Sequence, residues 1–125
     1  MKRALQVFSG LFGITAIIIA LLHIVLGPPA IPGSVPVNAT MDSEDRFYAT
    51  LFAAYGAALI WCIRDIEQKS RTMYFLAATF FAGGLARLVS LAFVGAPSGF
   101  FIAMTILELT IPVSMAMAQW RISKT

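Results

Sequence analysis

Residues 72–94 read TMYFLAATFFAGGLARLVSLAFV, an apolar run interrupted by a single charge, Arg87. At 1.5 Å rise per residue this stretch is long enough to cross a hydrocarbon core of about 30 Å as a helix. A charge inside such a span is costly in lipid and normally faces the protein interior, where it finds a partner. The run ends in Gly95-Ala96-Pro97-Ser98-Gly99, a turn sequence, and a second apolar run follows from about residue 99 to 120. That second run also carries one internal charge of opposite sign, Glu108. Two helices joined by so short a turn pack as neighbours running in opposite directions. Counting from the turn puts Arg87 roughly 12 Å and Glu108 roughly 14 Å into the membrane. The two charges are therefore expected to meet.

The rest of the chain extends the pattern. Spans are expected at about 4–26, 43–63, 72–94 and 99–120. The composition agrees: 59% of the 125 residues are hydrophobic, 12% are charged, and mean hydropathy is +0.84. Soluble domains are typically about 45–50% apolar and about 25% charged. The expected fold is all-α, a single integral membrane four-helix bundle of antiparallel up-down helices. Met1-Lys2-Arg3 resembles the start of a signal peptide. The apolar stretch behind it exceeds the roughly 7–15 residues of a signal core, and no A-x-A cleavage site follows, so it reads as a retained first helix.

Orientation follows from the basic residues. Lys2, Arg3, Arg64, Lys69, Arg71, Arg121 and Lys124 all fall on one side if both termini are cytoplasmic, and the other two connections then carry no Lys or Arg. This is the pattern that places positive loops inside. The loop of residues 27–40, GPPAIPGSVPVNAT, has four prolines and cannot be continuous helix. Thr40, Asp42 and Ser43 are the expected N-caps of the second span, and Asp42, Glu44 and Asp45 suit the positive end of its dipole. Asn38-Ala39-Thr40 matches a glycosylation sequon, a tripeptide common by chance.

Several function classes drop out. The net charge of +3 is not gathered into a basic patch with interleaved aromatics, so nucleic acid is not an expected partner. A lone Cys62 excludes an intramolecular disulfide and a Cys-rich metal site. No nucleophile elbow, phosphate-binding Gly loop, HExxH or CxxC is present in the sequence. No metal and no cofactor are expected. Short loops and the lack of an internal repeat also argue against alternating-access transport.

Polar residues within the spans concentrate in the outer half: His23, Glu44, Asp45, Arg46, Tyr48, Arg87 and Glu108. Gly83, Gly84, Arg87 and Ser90 fall along one face of the third span, and Met104, Thr105, Glu108 and Pro112 along one face of the fourth. Pro112 lacks the amide that would bond the carbonyl of residue 108. Ala49, Ala53, Gly56 and Ala57 read as a packing seam, and Trp61 and Trp120 as interfacial anchors. The expected site is a polar pocket formed by Arg87, Glu108, Arg46, Tyr48 and His23.

The segment Asn38-Ala39-Thr40-Met41-Asp42-Ser43-Glu44-Asp45-Arg46-Phe47-Tyr48, with Phe52 and Gly56, then Gly84-Leu85-Ala86-Arg87-Leu88-Val89-Ser90, then Glu108 with Pro112, resembles a bacterial membrane family. The family is catalogued as domain-of-unknown-function family 4345, and its architecture is similar to that of the DoxX-like four-helix membrane proteins. The resemblance implies a bacterial inner-membrane four-helix protein and carries over no catalytic residue.

The leading expectation is a binding or accessory protein. Its pocket would take a lipid-like or small amphipathic ligand, or a partner membrane protein, homo-oligomer included. Two alternatives stand beside it: a small membrane enzyme using Glu108 and His23 for proton transfer, and a purely structural subunit of a larger complex.

Overall fold

In the computed structural model the described residues are 1–124, with Lys124 described as backbone only. The positive charge of Lys124 counted above lies outside the described side chains. Four long helices and no strand occur among the described residues: α1 (Lys2–Leu26), α2 (Ala39–Cys62), α3 (Ser70–Phe93) and α4 (Gly99–Lys124). Three of them, α1, α3 and α4, are long and apolar enough to cross a membrane. These mark the chain as an integral membrane protein. Helix α2 falls short of the other three because its first turns hold Asp42, Glu44, Asp45 and Arg46. The apolar remainder, residues 47–62, is about 24 Å long at helical rise.

The chain divides into two compact units, Val7–Arg64 and Met1–Gln6 with Asp65–Thr125. In the first, α1 and α2 cross closely at two glycines. A Cβ on Gly56 would sit 2.6 Å from the Gly13 carbonyl oxygen, and one on Gly13 would sit 2.7 Å from that of Gly56. Any side chain at either position would push the helices apart. Beside the crossing, the Phe12 and Tyr55 rings lie 6.0 Å apart. Ala49 and Gly56 of the expected seam are buried, whereas Ala57 faces outward.

Helix α2 starts at Ala39, earlier than the expected span. Its cap is Asn38, whose side chain accepts from the Met41 amide at 2.9 Å. Thr40, Asp42 and Ser43, the expected caps, lie inside the helix. Asn38 outcompetes them because it combines an extended backbone with a short acceptor at the N3 distance. The Pro-rich loop contains a short 3-10 turn, Pro28–Ala30.

In the second unit α3 and α4 pack along one another. Contacts run from Ser70 with Ser123, through Gly84 with Leu109, to Arg87 with Glu108. Gly84, not Gly83, makes the close approach: a Cβ there would meet Leu109 Cδ2 at 2.9 Å, while Gly83 faces open space. Gly95, at φ 121°, makes the reversal after α3 in a backbone region that residues with a Cβ resist. Ser98 then offers its carbonyl to the Phe101 and Ile102 amides to start α4.

At the far end of this pair the Gln119 amide donates one hydrogen to the Ile66 carbonyl at 2.7 Å and shares the other between the Ser70 and Ser123 hydroxyls, each at 3.2 Å. This clamp carries α4 past Trp120, where its apolar run was expected to end, and Ile122 is buried beyond it. Lys2 of the same unit pairs with Glu67 at 2.8 Å. Trp61 and Trp120 are both exposed, as membrane anchors would be.

Candidate functional site

Side-chain hydroxyls on the long helices show how polar groups are handled in this chain. Thr79 donates to the Phe75 carbonyl, Thr105 to Phe101, Thr110 to Ile106 and Ser114 to Thr110, all one turn back. This back-bonding satisfies a hydroxyl where water is scarce. The charged residues divide into two groups, one in each compact unit.

In the unit Val7–Arg64, Arg46 and His23 are each held by an aspartate of α2. Arg46 donates from Nε to Asp42 Oδ1 at 2.7 Å and from Nη2 to Asp42 Oδ2 at 3.4 Å. Its Nη1 donates to the Ile24 and Val25 carbonyls at 2.5 and 3.2 Å. Those carbonyls belong to the last turn of α1, which has no amides of its own to offer them. Arg46 thus caps α1 from the neighbouring helix. The cap needs Gly27, which ends α1 at φ 73°, since a Cβ there would lie 2.7 Å from Arg46 Nη2. The guanidinium hydrogen bond holds the Asp42 carboxyl below the usual carboxylate range.

His23 Nδ1 lies 3.1 Å from both oxygens of Asp45. A carboxylate can only accept, so Nδ1 carries the hydrogen. Tyr48 is exposed and stands edge-on to the Phe47 ring at 5.5 Å. The acidic cluster at the start of α2 is therefore more than a dipole complement, since Asp42 accepts from Arg46 and Asp45 from the His23 ring.

In the other unit, Arg87 Nε donates to Glu108 Oε2 at 2.6 Å. The glutamate is the more buried partner, with its side chain 7% exposed, while the arginine side chain is 40% exposed. The guanidinium carbon sits 5.1 Å from the centre of the Phe101 ring, which shields one face of the cation. Gly84 makes room for this contact, since a Cβ there would approach Glu108 Cβ to 3.2 Å. Pro112 lies inside α4, so the carbonyl of residue 108 receives no helical amide.

Among the described residues, Arg87 Nη1 and Nη2 donate to nothing, and Glu108 Oε1 accepts nothing. The Ser90 hydroxyl, one turn closer to the end of α3, is also without a described partner, and Ser90 is exposed. Nothing in the sequence singled out Phe101. Its position two turns before Glu108 on α4 was the available signal.

Sequence reasoning thus paired Arg87 with Glu108 correctly. His23 and Arg46 are found with Asp45 and Asp42, pairings it did not draw. The Asp42–Arg46 pair was readable from its four-residue spacing; the His23–Asp45 pair depends on the register of α1 against α2.

Fold and site together define a helical membrane protein with an ion pair set inside two of its spans. The sequence profile of the family described as Domain of unknown function (DUF4345) matches residues 4–119. The chain belongs to that family. No curated protein and no solved structure matches it significantly.

Proposed function

We propose that the chain is a small membrane binding protein whose Arg87–Glu108 pair holds the headgroup of a lipid-like amphiphile. One observation carries the reading. Arg87 uses only Nε on protein, leaving the whole Nη edge of a permanent cation unmatched in an apolar setting. An intramembrane charge of this kind is a functional position by default. Arg46 and His23 serve instead to join the end of α1 to the start of α2, and Tyr48 lies at the membrane interface.

The reading takes α2 as a fourth crossing. In its charged first turns Asp42 pairs with Arg46 and Asp45 accepts from His23, which lowers the cost of placing these groups near the membrane edge. Within each unit the contacts favour two helices running in opposite directions. Contact pairs 13 with 56 and 23 with 45, like 70 with 123 and 87 with 108, have nearly constant number sums, as antiparallel neighbours do. Both termini lie on the cytoplasmic side, where Lys2, Arg3, Arg64, Lys69, Arg71 and Arg121 gather. A bacterial plasma membrane is the setting this charge distribution and the family resemblance favour.

Native mass spectrometry of the protein in mild detergent tests the reading. One bound amphiphile per chain is expected, lost in Arg87→Gln. A wild-type chain that carries no lipid, or that carries only a protein partner, would overturn it.

A further inference from the structure

The two halves of the ion pair leave complementary groups open. Arg87 presents the Nη edge of its guanidinium, and Phe101 covers one face, so an incoming group is met in the guanidinium plane. That is the geometry in which arginine takes two oxygens of a phosphate. Glu108 presents Oε1, which accepts nothing from the described residues. Glu108 is not closed off entirely, since its side chain keeps 7% exposure. A donor edge and an acceptor oxygen thus stand on either side of one short hydrogen bond.

Charge balance then selects the ligand. The pair is neutral as it stands. A purely anionic headgroup would leave one net negative charge in a poorly solvated site, beside a carboxylate that repels it. A purely cationic group would leave one net positive charge. Only a zwitterion matches both open groups and keeps the site neutral.

Resting on the amphiphile-binding reading, we infer that the Arg87–Glu108 pair is a headgroup site for a glycerophospholipid with a primary amine, of the phosphatidylethanolamine type. The phosphate lies on the Arg87 Nη edge, and the ammonium donates to Glu108 Oε1. A primary ammonium has hydrogens to donate; the quaternary ammonium of a choline headgroup has none and loses that bond. Ser90 supplies a hydroxyl on the phosphate side. Depth agrees, because Arg87 lies about 9 Å from the end of α3 at helical rise and its long side chain reaches toward the headgroup layer.

The test is competitive binding to the purified, delipidated protein in detergent, read by native mass spectrometry. The probes are phosphatidylethanolamine, phosphatidylcholine and phosphatidylglycerol of equal chain length. Phosphatidylethanolamine should bind about tenfold tighter than either rival, as expected for one charge-assisted hydrogen bond. In Glu108→Gln the preference over phosphatidylglycerol should shrink to within about threefold. Glycerophosphoethanolamine, the headgroup without tails, should not displace the lipid at equal concentration.

The wild-type ratios decide the matter even if the variant folds poorly. Equal or tighter binding of phosphatidylglycerol or phosphatidylcholine overturns the zwitterion site and leaves amphiphile binding standing. So does a preference that survives Glu108→Gln unchanged. Displacement by the tail-less headgroup assigns the site to a free solute. Failure of all three lipids to bind removes both readings.

Discussion

Arg46 and Arg87 are the same residue in two opposite situations. Arg46 spends Nε, Nη1 and Nη2 on Asp42 and on the last carbonyls of α1. Arg87 spends Nε alone, on Glu108. The first cation is consumed by the fold, since it closes a helix end that nothing else closes. The second is fixed by the fold and left open on its other side. The number of donors used, more than the depth of the charge, separates a structural arginine from one placed to hold something. The glycines divide the same way. Gly13 and Gly56 meet backbone across α1 and α2, whereas Gly83 faces open space.

The largest effect that would break this contrast concerns binding. Arg87→Gln is predicted to lower bound-lipid occupancy by about tenfold or more, the worth of a charged hydrogen-bond partner. Its thermal stability should change less, because Arg87 makes a single hydrogen bond to the protein. Arg46→Gln is predicted to do the reverse. It should give the larger fall in Tm by thermal-shift measurement in detergent, with lipid still bound to the chains that remain folded. If the two variants behaved alike in both measurements, the distinction between them would not hold.

The glycine comparison should be next in size. Gly56→Ala forces a Cβ into the Gly13 carbonyl and is predicted to cost about 1–3 kcal/mol, the usual range for overpacking. Gly83→Ala should be neutral or slightly stabilising, since nothing lies within 4 Å of its added Cβ. Urea or thermal unfolding of the pair in one detergent checks both.

The smallest effect is the acid response of the Arg46 cap. Hydrogen bonding to Arg46 lowers the Asp42 pKa in the folded chain. A lowered carboxylate contributes stability that is complete above its ordinary value of 3.8 and disappears as pH falls through the folded value. Below that window wild type and Asp42→Asn should converge in Tm, and wild type should lead at neutral pH. A gap that stayed constant into acid would remove Asp42 from the cap.

Much of this was legible in the sequence because hydropathy and a short turn are strong local signals. Residues 72–94 and 99–120 fix a hairpin, and simple counting brings Arg87 level with Glu108. What escaped depends on register between elements distant in the chain. The Gly13–Gly56 crossing and the His23–Asp45 bond appear only once α1 and α2 are aligned. Asn38 was hidden by three equally plausible caps just after it. The extension of α4 depends on Gln119 and Ser123 finding the start of α3, which no pattern within α4 announces. Arg46 was grouped with Arg87 because both are cations near the outer ends of spans, and composition does not show how many donors each has spent.

The most direct measurement is of those donors themselves. In bilayers, solid-state NMR with guanidinium 15N labels and 31P dephasing reports which arginine nitrogens lie beside a phosphate. With the interfacial arginines contributing their own dephased signals, one Nη component is predicted to be lost in Arg87→Lys and kept in Arg46→Lys. A dephased spectrum unchanged by Arg87→Lys, or one that loses a component with Arg46→Lys instead, would contradict the assignment.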